Sequence, residues 1–446
     1  MNRRFGSRGG RLGVTVLVLA VALTASSRAQ QLPMLSPEER AIVDHVSAHS
    51  RDDGVALLER AVNINSGTQN FAGVREVGKL FDAELKALGF RTRWVDGAAF
   101  KRAGHLVAEH PGRGPRILLI GHLDTVFEPD SPFQKFERID DKSAKGPGIL
   151  DMKGGDVIMI QALKALAAGG ALKDVHVTVV MTGDEESAGD PQSAARAALV
   201  AAAKGAQVAI GFEDGDGLPG HAVIGRRGTA GWTLRVKGTP AHSSQIFRED
   251  IGFGAVFEAA RILNAFREAL SGEEHLTFNP ALVLGGTQVD YDVRQTRGSA
   301  FGKDNVIPEL ALATGDLRAL SNDQFEHARQ AMKRIVAESL PHTSAQIEFE
   351  EGYPPLAPTE GNQKLLALYD KASRDLGLGP VTAVNPDRAG AADVSFVAGE
   401  VPMIIDGIGM RGDGGHTVNE VADLSMFPAQ ISRAAVLLYR LSRSDR

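Results

Sequence analysis

The chain has 446 residues, which is too long for one ordinary hydrophobic core and therefore predicts at least two domains. A hydrophobic content of 43% and a charged content of 23% are typical of a soluble globular protein. The net charge of −6 argues against nucleic acid or an anionic membrane as a partner. Since the chain has no Cys, disulfides and thiolate ligands are excluded, and any metal must be bound by oxygen or imidazole.

Residues 1–29 have the pattern of an export signal. Four arginines within the first eleven residues precede an apolar run from Val14 to Leu23. Ser27-Arg28-Ala29 then has the small-x-small pattern of a cleavage site, with cleavage before Gln30. The apolar run is shorter than the roughly 20 residues that a membrane-spanning helix needs, although a membrane anchor remains the alternative. We therefore expect a periplasmic or secreted protein with no membrane contact after cleavage. Residues 1–29 contain five arginines and no acidic residue, so their removal changes the net charge from −6 to −11.

The next segments alternate between helical and strand patterns. Ser36-Pro37-Glu38-Glu39 is a capping box that begins a helix lasting to about Ser50, and a second helix is predicted over 71–88. Apolar runs predict buried strands at 116–120, 175–181, 207–210 and 403–405, with helices near 154–169 and 192–203. This alternation predicts an α/β domain with a mostly parallel sheet flanked by helices.

A different pattern occupies the region from about 226 to 350. Strands are predicted at 231–236, 281–289, 311–318 and 345–350, with helices at 251–270 and 321–340. The order β-α-β-β-α-β is that of a ferredoxin-like module, here inserted into the first domain. The predicted organisation is therefore a signal peptide at 1–29, a catalytic domain made of 30–225 and 351–446, and an inserted module at 226–350. One large continuous sheet is the alternative.

Five separated clusters of metal-binding side chains each follow an apolar, strand-like run. In open α/β sheets the carboxyl ends of the strands form the ligand-binding edge, so we expect these clusters to meet there. Two imidazoles and three carboxylates suit a pair of Zn²⁺-type ions that share one ligand, as in hydrolases that activate water. The clusters are Gly121-His122-Leu123-Asp124, Leu150-Asp151-Met152-Lys153-Gly154-Gly155, Asp184-Glu185-Glu186, Gly211-Phe212-Glu213-Asp214 and Gly414-Gly415-His416.

Each cluster taken alone also has an ordinary structural interpretation. His122 and Asp124 point to one side of a strand end, where the carboxylate can support the imidazole, but such pairs also occur on surfaces. Asp151 can equally be a helix-capping residue, and an adjacent Glu185-Glu186 pair is usually a solvated loop. In a metal site, one of these two glutamates ligates while the other accepts a proton from water. The occurrence of all five clusters in this order favours a metal site over five separate structural roles.

The same motifs resemble those of the glutamate carboxypeptidase and aminoacylase family of dinuclear zinc exopeptidases and amidohydrolases. The matching segments are Gly121-His122-Leu123-Asp124-Thr125-Val126, the Gly-Pro-Gly stretch from Gly146 through Asp151 to Gly155, Thr182-Gly183-Asp184-Glu185-Glu186, and the late His416. The resemblance covers essentially the whole chain after the signal. It implies a zinc-exopeptidase-like catalytic domain with an inserted ferredoxin-like lid or dimerisation domain.

The resemblance also implies a role for each residue of the predicted site. Asp151 bridges two divalent ions, with Zn²⁺ expected and Co²⁺ or Mn²⁺ as alternatives. Glu186 and His416 complete the coordination of one ion, and His122 and Glu213 complete the coordination of the other. Glu185 is the general base and acid, Asp124 supports His122, and the peptide bond between Asp151 and Met152 is a candidate for the cis form.

Further matches lie in the inserted module. His242, in Lys237-Gly238-Thr239-Pro240-Ala241-His242-Ser243, resembles a lid histidine that stabilises the oxyanion, often from the second subunit of a homodimer. Asn305 and Arg318 match contacts to a substrate carboxylate, a task that suits the planar guanidinium. An exposed loop histidine and a surface arginine are the alternatives. Tyr353 stands where glutamate-releasing relatives often have Arg, and Arg388 is a candidate replacement for that charge.

The leading hypothesis is metal-dependent hydrolysis of an amide bond next to a free carboxylate, releasing a C-terminal amino acid from a small peptide or N-acyl amino acid. Deacylation of N-acyl amino acids and dipeptide hydrolysis are alternatives within the family. A non-catalytic binding protein that retains the fold is a further alternative, since fold alone does not fix function. A serine hydrolase is disfavoured because no Gly-x-Ser-x-Gly motif is present.

Overall fold

The structure is a computed structural model that describes residues 35–293 and 295–444. The predicted signal peptide at 1–29, with its alternative as an anchor, lies outside these residues. Within the described ranges, no helix is both long and apolar enough to cross a membrane.

The helices are described first because they cover the faces of the sheets. They are α1 (Pro37–His45), α2 (Arg51–Val62), α3 (Phe71–Ala87), α4 (Lys153–Ala168), α5 (Gln192–Ala203), α6 (Gly254–Leu270), α7 (Asn322–Ala337), α8 (Glu360–Asp375) and α9 (Phe427–Leu441). A π-helical segment, Val46–Ser50, joins α1 to α2. The predicted first helix therefore continues past Ser50 to Val62. Its start is as expected, because the Ser36 hydroxyl and the Glu39 carboxylate form the predicted capping box.

The strands differ widely in length. They are β1 (Arg91–Asp96), β2 (Gly104–His110), β3 (Arg116–His122), β4 (Glu137–Arg138), β5 (Ser143–Lys145), β6 (His176–Thr182), β7 (Val208–Gly211), β8 (His221–Ala222), β9 (Gly228–Gly238), β10 (Thr277–Gly286), β11 (Gln288–Asp292), β12 (Arg297–Phe301), β13 (Leu310–Ala319), β14 (Thr343–Glu351), β15 (Thr382–Ala383), β16 (Met403–Ile405), β17 (Gly412–Asp413) and β18 (Val421–Asp423).

The main sheet has six strands in the order β1-β2-β6-β3-β7-β16. β6, β3, β7 and β16 run parallel to one another, whereas β2 is antiparallel to both of its neighbours. Successive residues of β3 enter opposite cores, with Ile117 and Leu119 on one face and Leu118 and Ile120 on the other. Helices cover both faces, so the predicted α/β fold with a mostly parallel sheet is confirmed.

The region between β8 and α8 forms a second, antiparallel sheet in the order β10-β13-β9-β14. This is the strand order of the predicted ferredoxin-like module, with α6 and α7 on one face. Along β9, Trp232, Leu234 and Val236 are buried against these helices, while Arg235 and Lys237 are exposed. The module thus has an apolar core distinct from that of the main sheet.

Three local features differ from the sequence-based expectations. The predicted strand at 281–289 is two strands, because β10 ends at Gly286 and β11 begins at Gln288 to form a hairpin with β12. The antiparallel pair β1 and β2 at the edge of the main sheet was not predicted. Asp151 does not follow a strand of this sheet; it lies in a turn directly before α4, whose N-cap residue is Met152.

Candidate metal centre

Neighbouring strands bring most of the predicted ligands to one edge of the main sheet. β3 ends at His122, β6 ends two residues before Asp184, and β7 ends two residues before Glu213. Because β6, β3 and β7 are adjacent and parallel, their carboxyl ends lie side by side. Loops supply the remaining two ligands, Asp151 before α4 and His416 after β17.

The carboxylate of Asp151 lies between two imidazoles. Its Oδ1 is 2.9 Å from Nε2 of His122, and its Oδ2 is 2.8 Å from Nε2 of His416. Glu213 Oε1 lies 3.6 Å from the first imidazole nitrogen, and Glu186 Oε2 lies 3.2 Å from the second. Ligand atoms of a tetrahedral Zn²⁺ are about 3.4 Å apart, so these separations are near those of coordinating groups. Asp151 thus connects two half-sites, one with His122 and Glu213 and the other with His416 and Glu186.

The two half-sites also form one cluster. Ligand atoms of His122, Asp151 and Glu186 all lie within 4.8 Å of one another. Glu186 Oε1 is buried and has no hydrogen-bond partner among the described residues, as expected of an oxygen available to a cation. The donors are oxygens and imidazole nitrogens, the set that divalent Zn²⁺, Co²⁺ or Mn²⁺ accepts. The residues present therefore fit a pair of divalent cations.

The local charge is strongly negative. Hydrogen bonds from His416 to the carboxylates of Asp151 and Glu186 raise the pKa of this imidazole to about 11. Burial raises the pKa of Glu186, and the nearby charge of Asp151 raises it further. For Glu213, burial likewise raises the pKa well above its ordinary value, with the charge of Asp151 adding to the effect. Carboxylates crowded in this way favour any divalent cation that binds between them.

Asp124 organises the surroundings of these ligands. Its Oδ1 accepts the backbone N–H of Glu185 at 3.0 Å, and its Oδ2 accepts the N–H of Glu186 at 3.1 Å and the Thr68 hydroxyl at 2.6 Å. The expected support of His122 is only partly carried by the carboxylate. Nδ1 of His122 lies 3.0 Å from the main-chain carbonyl oxygen of Asp124 but 3.5 Å from Oδ1. Asp124 therefore fixes both the imidazole and the Glu185-Glu186 loop.

Glu185 has the environment of a proton acceptor. Burial raises the pKa of its carboxyl well above the ordinary value; His122 opposes this effect, and the charges of Asp393 and Glu186 reinforce it. The charges of His122, Glu186 and Asp151 all act on this carboxyl, which therefore lies near the cluster. The predicted cis peptide bond between Asp151 and Met152 is present.

Family comparisons agree with this geometry. The model of Peptidase family M20/M25/M40 matches residues 118–443. The chain belongs to this peptidase family. Its residues outside that range include all of α1, α2 and α3.

Individual proteins resemble most of the length of the chain. Carboxypeptidase G2 of Pseudomonas sp. (strain RS-16) is 27% identical over 394 residues, covering 87% of this chain and 89% of that protein. Succinyl-diaminopimelate desuccinylase 2 of Shewanella loihica is 26% identical over 402 residues, covering 85% and 94%. The crystal structure of aminopeptidase PepT from Bacillus cereus has a TM-score of 0.70 at 19% identity, covering 88% of this chain and 99% of that one, which shows a shared fold.

Two acidic residues that the sequence did not single out hold the ligand loops of this peptidase in place. Glu420 is fully buried, and its carboxylate accepts the N–H groups of Gly148, Leu150 and Asp151 at 3.0, 2.7 and 3.2 Å. Asp406 is also fully buried; its Oδ1 accepts the N–H of Glu213 at 3.3 Å, and its Oδ2 pairs with Arg226. No pattern in the sequence distinguishes Glu420 from an ordinary loop acid, so its role could be found only from the fold.

The remaining predicted residues lie apart from the metal cluster. His242 forms an isolated β-bridge with Val306, and the carbonyl oxygen of Asn305 accepts the N–H of Ser243, so His242 and Asn305 are neighbours. Arg318 pairs with Asp316 at 2.9 Å and lies opposite Thr229, at the other end of the module sheet. Arg388 is exposed and lies 3.5 Å from Asp216. The structure therefore brings together the metal-binding set but not these four residues.

Proposed function

We propose that this peptidase hydrolyses an amide bond next to a free carboxylate and releases a C-terminal amino acid. The observation that carries this proposal is the carboxylate of Asp151 between His122 and His416, with Glu186 and Glu213 completing the cluster and Glu185 beside it. Two divalent cations, of which Zn²⁺ is our first choice, would be held by these five residues. When bound, they polarise the substrate carbonyl and lower the pKa of the attacking water.

Glu185 supplies the proton transfers of the reaction. Its buried carboxyl has a raised pKa, so it accepts a proton from the attacking water readily and later donates it to the leaving amine. Asp124 keeps this residue in place through the backbone N–H groups of Glu185 and Glu186. Within the same proposal, His242 stabilises the oxyanion, and Asn305 and Arg318 bind the substrate carboxylate. Because Asn305 lies beside His242 and Arg318 lies at the opposite end of the module sheet, these two residues would come from different subunits of a dimer. Arg388 is a more distant candidate for binding the carboxylate.

The substrate class is proposed from the relatives. Carboxypeptidase G2 supports a carboxypeptidase that acts on a small peptide or N-acyl amino acid. The desuccinylase matches a similar share of the chain and supports N-acyl amino acid deacylation as the second candidate. Dipeptide hydrolysis is disfavoured because dipeptidases of this kind more often have Asp at the position of Glu213. A non-catalytic binding protein would need no proton acceptor, so Glu185 argues against it.

The decisive experiment is a panel assay on metal-depleted protein. N-acyl amino acids and dipeptides are tested after chelation and after addition of Zn²⁺, Co²⁺ or Mn²⁺. We expect metal-dependent release of a free amino acid, and no release from any substrate with any metal would overturn the proposal. Glu185→Gln should bind metal normally but lose at least about a hundredfold in kcat. Glu109→Gln, an exposed carboxyl on β2, is the matched control and should behave as wild type.

We further propose that the protein is a homodimer that pairs through the inserted module. β10 is an outer strand of the module sheet, and exposed apolar side chains lie on it and on the adjacent α6. They include Val283, Val256 and Phe257, which are 53%, 43% and 51% exposed. An unpaired strand edge with apolar neighbours suits antiparallel pairing with an identical edge. We expect Val283→Lys to shift the sedimentation coefficient from dimer to monomer, and a monomeric wild type would contradict the proposal.

The position of His242 supports a role in the second subunit's site. Tyr353 is bonded to Glu185 and pairs with Thr229 at the start of β9, whereas His242 lies beyond the end of that strand. The strand from Thr229 to Gly238 is about 30 Å long, so His242 is remote from Glu185 of its own chain. Mixing inactive Glu185→Gln with inactive His242→Asn should restore about a quarter of the wild-type activity if the histidine acts across a dimer. No recovery would place it in its own chain.

Domain boundaries and export are also proposals. We propose a catalytic domain of residues 30–225 and 351–446, a separate module at 226–350, and export to the periplasm with cleavage after Ala29. N-terminal sequencing of protein from the periplasmic fraction should begin at Gln30. Protein retained in the membrane or cytoplasmic fraction with an intact N-terminus would contradict the export proposal.

A further inference from the structure

The hydroxyl of Tyr353, two residues after the last strand of the inserted module, contacts the main chain of Glu185. It donates a hydrogen bond of 2.6 Å to the carbonyl oxygen of Glu185 and accepts one of 2.8 Å from Arg196. On the other side of the same residue, the Glu185 N–H is bound to Asp124. The peptide groups that flank the proton acceptor are therefore fixed from two directions, by Asp124 on the metal side and by Tyr353 on the module side.

Tyr353 also stands where the chain leaves the module. It follows β14 by two residues, and its backbone is tied to Thr229, the second residue of the first module strand. Thr229 donates its N–H to the carbonyl oxygen of Tyr353 at 2.8 Å, and its hydroxyl accepts the N–H of Tyr353 at 3.2 Å. A Cβ on Gly228 would lie 2.6 Å from the same carbonyl oxygen. The two segments where the chain enters and leaves the module, which we call the crossings, are therefore in close contact. Any rotation of the module about these crossings must move Tyr353.

The partner of Tyr353 on the catalytic side, Arg196, is buried and held by two carboxylates. Arg196 is 2% exposed, and its guanidinium contacts Asp184 at 2.6 Å and Asp393 at 2.8 Å. Asp393 in turn accepts the Thr182 hydroxyl at 2.6 Å. The Tyr353 ring packs edge-on against Phe396 with centroids 4.9 Å apart. Two carboxylates hold the Arg196 guanidinium, and one of them is bonded to Thr182 at the end of β6. The Tyr353 hydroxyl therefore contacts a group that is anchored to the main sheet.

We propose that Tyr353 is a positioning residue that couples the orientation of the module to the placement of Glu185. Its hydroxyl contacts the Glu185 carbonyl and Arg196, and it acts through the Glu185 carbonyl. When the module turns about the crossings at Gly228 and Gly352, the hydroxyl shifts this carbonyl and sets the carboxyl of Glu185 for proton transfer. This inference rests on the proposed hydrolase function of Glu185.

Tyr353→Phe removes the hydroxyl and keeps the ring, its packing on Phe396 and the backbone contacts to Thr229. We expect kcat to fall about tenfold, as for the loss of one buried hydrogen bond in a catalytic arrangement, with KM changed less than about threefold. Metal content and melting temperature should match those of wild type. Tyr369→Phe, a fully buried tyrosine of α8, is the control and should leave kcat unchanged.

The outcomes separate this inference from the function on which it rests. If wild type hydrolyses no substrate in the panel, the proposed function fails. If wild type is active, an unchanged kcat in Tyr353→Phe overturns the coupling, and so does a loss confined to KM or accompanied by loss of metal. A lower melting temperature together with proportional changes in kcat and KM would show a merely structural role for Tyr353. That result would also overturn the coupling.

A second measurement follows the module itself. The chain has no Cys, so Ala87→Cys on α3 and Ala269→Cys on α6 place two labels, one on each side of the crossings. In Tyr353→Phe, addition of a substrate analogue should change the distance between labels as in wild type, while kcat stays low. Such uncoupling is the expected result. A distance change that disappears together with kcat would overturn the assigned role, because Tyr353 would then control the movement rather than its transmission.

Discussion

Glu420 and Asp151 are 269 residues apart in the sequence, yet the Glu420 carboxylate accepts the backbone N–H of Asp151 at 3.2 Å. The same carboxylate binds the N–H groups of Gly148 and Leu150, and its own N–H is bonded to the carbonyl oxygen of Thr417, next to His416. The buried Glu420 thus connects the Asp151 turn to the His416 loop. The two loops that supply ligands are aligned by this contact.

We therefore expect Glu420→Gln to weaken metal binding without removing any ligand. The amide replaces one acceptor oxygen with a donor, which leaves a buried N–H of the Asp151 turn unpaired. Changes to groups that orient ligands usually lower metal affinity about 10- to 100-fold, and we expect a loss in that range. Competition with a chromogenic chelator measures it. Glu400→Gln, an exposed carboxyl, is the control, and equal affinity of both variants would refute the role of Glu420.

Sequence patterns predicted the elements whose apolar periodicity is strong. The buried strands β3, β6 and β7 and the helices α3, α4 and α5 lie within a few residues of their predicted positions. The ligand clusters could be predicted because parallel strands place their carboxyl ends at one edge. What the sequence could not give is the contact between distant loops, since Glu420 looks like any loop acid until the fold buries it.

The elements that were missed share a physical cause. β1 contains Arg91 and Arg93 among its exposed positions, so it lacks the continuous apolar run of a central strand. All residues of β12 are exposed, and hairpin pairing with β11 rather than burial defines it. Strands of this kind form by pairing with neighbouring strands, and their own sequence has no apolar pattern that predicts them. Gly154 and Gly155, which follow Asp151, are packed against protein atoms, a close contact that only the fold reveals.

Asp406 and Asp387 offer a matched pair of ion-pair tests, since they bind the adjacent residues Arg226 and Arg227. The side chains of Arg226 and Asp406 are 5% and 0% exposed, whereas that of Asp387 is 45% exposed. Asp406→Asn leaves a buried guanidinium without its counter-charge and should lower the free energy of unfolding by about 3–5 kcal/mol.

The control for this change is Asp387→Asn, which should cost at most about 1 kcal/mol because solvent screens the pair. Denaturant unfolding in the presence of chelator measures both variants without the contribution of metal. Asp406→Asn should also weaken metal binding, because Asp406 accepts the N–H of Glu213. Equal stabilities of the two variants would contradict the assigned importance of the buried pair.

His105 predicts a pH dependence of stability. Burial lowers the pKa of its imidazole, although the nearby Asp184 opposes the effect. The contacts require the neutral ring, because Nδ1 accepts the N–H of Gly183 at 3.2 Å and Nε2 donates to the carbonyl oxygen of Ala195 at 2.7 Å. Below about pH 6.5 the unfolded chain binds a proton at this position that the folded chain does not, so stability falls as pH falls.

The size of this effect is at most about 1.4 kcal/mol per pH unit for one histidine, between about pH 6.5 and the lower pKa of the folded state. His105→Gln should reduce the slope of unfolding free energy against pH in that window. Chelator is present throughout so that pH-dependent metal binding does not contribute. A slope identical in wild type and His105→Gln would contradict the prediction.

Gly155 tests whether the Lys-Gly-Gly segment serves packing or ligand access. A Cβ at this position of α4 would overlap the carbonyl oxygen of Phe212, directly before Glu213. Gly155→Ala must therefore push α4 away from the end of β7, at a cost of about 1–3 kcal/mol in unfolding free energy. Gly399→Ala meets open space and should change stability by less than about 0.5 kcal/mol. Because the displaced backbone carries Glu213, the Gly155 variant should also bind metal more weakly. If its stability and its metal affinity both equal those of Gly399→Ala, the close contact between α4 and the Glu213 loop is not required.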